Sequence, residues 1–126
     1  MIAQKVEHEN REQIIKPGQP ADFLYFLMAG NCSNYFIVDE CDGYKELYAG
    51  DISPGDLFWI SSVIEPYISA MGVQANGAVK AIKIDAKPML TICEADPKLG
   101  YSLMREINQV LMGQLSGAMA QLAIVK

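Results

Sequence analysis

The side chains able to do chemistry are few and scattered. His8 is the single histidine, and it stands in the polar run Glu7-His8-Glu9-Asn10, where a solvated surface position is expected. A metal or haem centre in a small β-barrel needs clustered His or Cys ligands, so none is expected. Cys32, Cys41 and Cys93 are odd in number, with spacings of 9 and 52. That fits neither a disulfide framework nor a Cys-x-x-Cys site, and they read as free thiols. Asp39, Glu40 and Asp42 form an acidic hairpin tip without the ligand loop of a calcium site. Ser61-Ser62 has no histidine near it in sequence to activate a hydroxyl, so a helix-capping role is expected and no catalytic residue is assigned. Trp59 and Tyr67 bracket that pair and read as core or rim aromatics.

The elements that must position these residues change character along the chain. From Glu7 to about Asp85, β-branched and aromatic runs are separated by turn signals every 8–12 residues or so, the pattern of a sandwich or barrel. Residues 24–27 end at Ala29-Gly30, and residues 34–38 end at the acidic turn 39–43. Residues 44–48 precede a loop turning at Pro54-Gly55, and residues 68–75 and 78–85 flank Asn76-Gly77, which reads as a hairpin turn. From Asp85 the period is helical. Asp85 is expected to cap a short helix to about Glu94, and Asp96-Pro97 to start a second helix that continues to the end of the sequence. Along that helix Met104, Ile107, Leu111, Leu115, Ala118, Leu122 and Val125 recur at steps of three or four. So long an apolar stripe predicts packing against a second copy of the chain. Gly113 and Gly117, with Ala118, Ala120 and Ala123, remove bulk for a close approach.

The 126 residues hold one domain's worth of core. Hydrophobic residues at 51% against charged residues at 20% belong to a folded chain. Ten Lys and Arg against fifteen Asp and Glu give a net charge of −5, which disfavours direct contact with nucleic acid. The N-terminal residues lack the apolar stretch of a leader and no run reaches membrane-spanning length, so a cytoplasmic protein without a membrane partner is expected.

Four stretches together point to a family. Ile-Lys-Pro-Gly-Gln-Pro-Ala-Asp-Phe-Leu-Tyr-Phe-Leu-Met-Ala-Gly at 15–30, Pro-Gly-Asp-Leu-Phe-Trp at 54–59, Val-Gln-Ala at 73–75 and Cys-Glu-Ala-Asp-Pro-Lys-Leu-Gly-Tyr-Ser-Leu-Met-Arg at 93–105 resemble the cyclic-nucleotide-binding domain of the catabolite-activator and fumarate-nitrate regulator superfamily. The likeness covers nearly the whole chain and is strongest to bacterial single-domain members. It implies a mainly β fold, a jelly-roll-like β-roll over about residues 7–85, followed by a short helix and a long dimerisation helix over about residues 86–126. No DNA-binding domain is expected within residues 1–126. The resemblance places a ligand-binding cassette at Phe58, Trp59, Ile60, Ser61, Ser62, Tyr67, Ser69 and Ala70, and a dimer interface at Met104, Ile107, Leu111, Leu115, Ala118 and Leu122. The partners it implies are a small-molecule effector in the roll, a second copy of the chain and a protein partner. No cofactor is expected.

Members that bind cAMP or cGMP carry Gly-Glu after the Gly-Asp turn and an Arg about ten positions on, the carboxylate for the ribose hydroxyl and the guanidinium for the cyclic phosphate. Here those positions read Trp59-Ile60 and, to within one residue, Ser69 or Ala70, and residues 46–79 contain no Lys, Arg or His but four carboxylates. Serine hydroxyls and the N–H groups of a short helix near Ser61 and Ser62 are what remain for a phosphate. A lost charge-assisted contact of about 1.5–3 kcal/mol weakens binding by roughly ten-fold to over a hundred-fold. The expectation is a non-enzymatic sensor or regulatory domain with a degenerate phosphate site and no tight cAMP binding. The alternatives are a cAMP- or cGMP-binding regulator that uses backbone and Ser contacts and acts through a partner in signal transduction or transcription control, and a small barrel enzyme.

Overall fold

Residues 3–85 alternate in polarity with the period of two that a pleated strand imposes, and β-branched and aromatic residues favour that state. A computed structural model describes the backbone of residues 2–125, and the side chains of these residues other than 40 and 121–125. The described residues form strands β1 (Ala3–His8), β2 (Gln13–Ile15), β3 (Phe23–Glu40), β4 (Gly43–Ile52), β5 (Leu57–Phe58) and β6 (Gly72–Asp85), then helices α1 (Ala86–Ala95) and α2 (Pro97–Val125). All pairings are antiparallel. The order is β1-β6-β3-β4, with β2 added to β6 and β5 to β3. A mainly β roll followed by helices is therefore the observed architecture, as expected.

Two of the expected turns are not turns. Ala29-Gly30 lies inside β3 and Asn76-Gly77 inside β6, which run through them as strands of 18 and 14 residues. The ladder slips around Ala29 and resumes at Asn31↔Asn76, and Gly30 and Gly77 have φ of 93° and 89°. A side chain at Gly30 would overlap the Ala78 carbonyl. Paired left-handed glycines thus bend two strands together at a bulge instead of reversing either one. Asn76 Nδ2 donates across the bend to Asn31 Oδ1 at 3.0 Å and Ser33 Oγ at 2.6 Å, and Gly77 N–H donates to Asn10 Oδ1 at 2.8 Å. The turns expected at 39–43 and Pro54-Gly55 are present. Glu40 pairs with Gly43 across the first, and at the second Gly55 N–H donates to the Leu27 carbonyl at 2.8 Å.

Alternation produces two cores. Inside the roll, Tyr25, Leu27, Cys32, Ile52, Val73, Ala75, Val79 and Ala81 pack with Ile15, Phe58 and Trp59. On the other face of β3, Leu24 joins Ile60, Val63, Ala86 and Ile107 beneath the helices. Helix α2 docks there through Leu103, Ile107 and Val110. Further along, Gly117 lets it touch β4, since a Cβ at Gly117 would overlap the Ala49 carbonyl. Ala49 is the extra residue of a bulge, for Asn34 pairs with Gly50 and Tyr35 with Tyr48. Asp96 caps α2 as expected, its Oδ1 accepting Leu99 N–H at 3.3 Å. Asp85 precedes α1 without a side-chain cap bond.

Ile107 corrects the expected dimer stripe. At 2% exposure it belongs to the chain's own core, because a helix lying on a roll must turn one face to it. Met104, Leu111 and Leu115 are exposed and Ala118 is half-buried, while the side chain of Leu122 lies outside the described residues. Among the described residues, no helix is long and apolar enough to cross a membrane.

Candidate functional site

The expected cassette begins where β5 ends. Phe58 sits opposite Tyr25 in the ladder and stacks on its ring at 4.8 Å, with 7° between the planes. Trp59 then takes a left-handed conformation, φ 61° and ψ 43°, which sends the indole back into the roll. There it stacks on Tyr25 at 5.7 Å and lies 6.2 Å from the Phe23 ring. Its Nε1–H donates to the Ser69 hydroxyl at 2.6 Å, and both residues are buried. Ile60 opens a single 3-10 turn running to Val63, but its side chain points into the second core.

The short helix leaves little for an anion. Ser62 N–H and the Ser62 hydroxyl both donate to the Trp59 carbonyl, at 3.1 and 2.8 Å. Beyond the turn, the Tyr67 carbonyl accepts Ala21 N–H at 2.8 Å, and Ser69 N–H donates to the Gln19 carbonyl at 2.9 Å. Tyr67 is exposed and, with Ser62 of the same expected cassette, lines a cavity of about 610 Å³ that Asp22, Phe23, Asp85 and Lys87 complete. Four of the cassette residues border a small, partly open space on the other side. Trp59, Ile60, Ser61 and Ala70 line it with Ile15, Asn34, Met71, Val73 and Gln114, and its volume is about 30 Å³. That is far below the roughly 300–1,000 Å³ of a small-molecule pocket.

Asn34, Ser61 and Gln114 are the polar groups of that space, and no charged residue lines it. Asn34 and Gln114 also border a wider groove of about 270 Å³ between β4 and α2, where Asp51, Asp56 and Glu106 stand. The field offered to an entering molecule is thus neutral at the inner end and negative at the outer one. Asn34, Met71 and Gln114 escaped the reading of the sequence. A usable signal did exist for two of them: Asn34 shares the inward parity of Cys32 on β3, and Gln114 shares the roll-facing side of α2 with Ile107, Val110 and Gly117.

Other reactive groups are held inert or apart. Burial pushes the Cys32 thiol up to about 11, and burial followed by the charge of Asp96 pushes Cys93 up. Such thiols are poor nucleophiles. Burial, then the nearby Glu12 charge, raises Tyr25. His8 Nδ1 is hydrogen-bonded to Glu12, and the ring meets Tyr25 edge-on at 6.3 Å. Among the described residues, no group of three His, Cys, Asp or Glu side chains is placed to hold a metal ion.

No protein-family model and no curated protein matches the sequence. Solved structures do match the fold. The c-di-GMP-responsive global regulator CLP of Xanthomonas campestris superposes with a TM-score of 0.80 at 18% identity, over 96% of this chain and 58% of that one. A cyclic nucleotide-binding domain from Methylobacillus flagellatus gives 0.79 at 14% identity, over 99% of this chain and 68% of that one. The catabolite activator protein of Thermus thermophilus gives 0.73 at 16% identity, over 98% and 55%. This chain spans little more than half the length of those two regulators. It has the fold of the cyclic-nucleotide-binding domain of the catabolite-activator and fumarate-nitrate regulator superfamily.

Proposed function

We propose that this chain is a non-enzymatic regulatory domain that keeps the cyclic-nucleotide-binding fold without a tight cyclic-nucleotide site. It works in the cytoplasm as a homodimer through the outward face of α2, and a protein partner reads its state. One observation carries the reading. Where the family resemblance puts the Gly-Glu turn, and at or next to where it puts the phosphate-binding Arg, this chain has Trp59 and Ser69, an indole and a hydroxyl bonded to each other at 2.6 Å. Both groups are satisfied within the protein, and the indole occupies the interior of the roll.

Size and charge support the same reading. Pockets for small ligands run to about 300–1,000 Å³, whereas the space behind the cassette holds about 30 Å³ and has no cation in its lining. An effector reaching it from the groove between β4 and α2 passes the carboxylates of Asp51, Asp56 and Glu106 before the amides of Asn34 and Gln114. That order disfavours an anion and suits a small neutral molecule able to give and accept hydrogen bonds. Catalysis finds no support in the serine pair, because the Ser62 hydroxyl is bonded to a backbone carbonyl and the single histidine is paired with Glu12.

Isothermal calorimetry with cAMP and cGMP tests the proposal. The expected result is no measurable heat, or a Kd weaker than micromolar. A Kd below about 1 µM, worth roughly 8 kcal/mol, overturns it in favour of a nucleotide-binding regulator that uses Ser61 and backbone groups.

A further inference from the structure

Ser61 borders the small space behind the cassette, whereas Ser62, next to it in the 3-10 turn, borders the cavity of about 610 Å³. That volume is within the roughly 300–1,000 Å³ of small-molecule pockets. Chain topology builds it. Phe23, the first residue of β3, pairs with Asp85, the last of β6, and the Ala86 N–H that begins α1 donates to the Asp22 carbonyl at 3.1 Å. Ala21 N–H donates to the Tyr67 carbonyl. Tyr67 has φ of 61°, a left-handed conformation that a bulky residue adopts only at a cost, and its phenol stands exposed at the cavity.

The lining is apolar at depth and charged at its rim. Ala21 and Ala86 are buried and Phe23 and Leu90 half-buried, while Asp22 and Lys87 are exposed. Among the described residues the ion pairs are His8–Glu12 and Lys80–Glu7, so the carboxylates of Asp22 and Asp85 and the ammonium of Lys87 have no charged partner. Asp85 makes no side-chain bond to the start of α1 either. The Ser62 proton is donated to the Trp59 carbonyl, so towards a ligand its hydroxyl can only accept.

Charge disfavours both an anion and a simple cation. An anion meets two carboxylates, and the start of α1 offers it little, because the Ala86 N–H is taken and Pro88 has none. A cation meets Lys87 on the rim and Lys83, whose Nζ already lies 3.9 Å from the centre of the Phe23 ring. Two carboxylates and two ammonium groups match a ligand that carries one charge of each sign.

We propose that this cavity binds a free aromatic α-amino acid. Its ammonium lies between Asp22 and Asp85, its carboxylate meets Lys87, and its side chain enters the apolar depth against Phe23 and Leu90. An aromatic side chain suits the rings of Phe23 and Tyr67, which favour edge-on or offset contact with a third. The site is separate from the space behind Trp59, so it stands independently of whether cAMP binds. The Phe23 ring is 6.2 Å from that of Trp59, the single tryptophan, which therefore reports on occupancy.

The test titrates the full chain with L-phenylalanine, phenethylamine and 3-phenylpropionate at neutral pH, followed by calorimetry and Trp59 fluorescence. Saturable binding of L-phenylalanine with a Kd below about 1 mM is expected, and each analogue, lacking one charge, should bind at least about five-fold more weakly. Asp22→Asn should weaken L-phenylalanine and phenethylamine by about three-fold and leave 3-phenylpropionate unchanged. Lys87→Gln should weaken L-phenylalanine and 3-phenylpropionate and leave phenethylamine unchanged. Both residues are exposed, so both variants should fold like the parent. Absence of saturable L-phenylalanine binding up to about 10 mM overturns the proposal. So does an analogue that binds as tightly as the amino acid, or an L-phenylalanine affinity that either substitution leaves unchanged.

Discussion

The Trp59 indole N–H donates to the Ser69 hydroxyl at 2.6 Å across a sequence separation of 10 residues. This one bond ties the turn after β5 to the approach to β6, and it joins two residues that the family resemblance assigns to the cassette. Trp59 also stacks on Tyr25, so the site of expected binding has become part of the roll's core.

Ser69→Ala removes the acceptor and leaves a buried indole N–H without a partner. Urea unfolding should show a loss of about 1–3 kcal/mol. Trp59→Ala removes the ring as well and should cost more, about 3–5 kcal/mol. A Ser69→Ala effect within about 0.5 kcal/mol of zero, the size of an ordinary surface change, would mean that the bond contributes nothing to holding the cassette closed.

Two glycines four residues apart on α2 should respond in opposite directions. Gly113 has open space around it, whereas a Cβ on Gly117 would overlap the backbone carbonyl of Ala49. Gly113→Ala should therefore stabilise by up to about 1 kcal/mol through helix propensity, and Gly117→Ala should destabilise by about 1–3 kcal/mol through overpacking. Thermal melts of the two variants decide the matter, and a stabilising Gly117→Ala would show that α2 does not sit on β4 as described.

Acid sensitivity should pass through Glu12. The His8 ring hydrogen bond, helped by the Glu9 backbone N–H, holds the Glu12 carboxyl below its ordinary value. A carboxyl lowered in the folded state contributes stability above its unfolded pKa and loses it as pH falls through the folded value. His8→Ala should let Glu12 titrate higher in an NMR pH series and move the acid-unfolding midpoint upward. An unchanged Glu12 titration would assign the lowering to the backbone alone.

Part of the fold is legible residue by residue because it is local. Period-two alternation, the acidic tip at 39–43, Pro54-Gly55 and the Asp96-Pro97 start of α2 each act within a few residues. Ala29-Gly30 and Asn76-Gly77 are different, because a positive φ serves a reversal or a bulge equally well. The choice was made by the opposite strand, where Gly30 and the Asn31↔Asn76 pair bend together. Ile107 fits the outward stripe by spacing, yet the roll beneath α2 claimed it.

By itself, the sequence determined what chemistry is available: no cation between residues 46 and 79, one histidine, and a change of period near Asp85. These are properties of residue type and neighbouring order, which no packing can alter. Only the tertiary structure decided that Trp59 closes the space behind the cassette, that Ile60 faces the helices, that Asn34 and Gln114 form the inner wall, and that Gly117 meets Ala49. Each of those outcomes turns on which groups, often far apart along the chain, compete for one volume, and close packing lets only one of them have it.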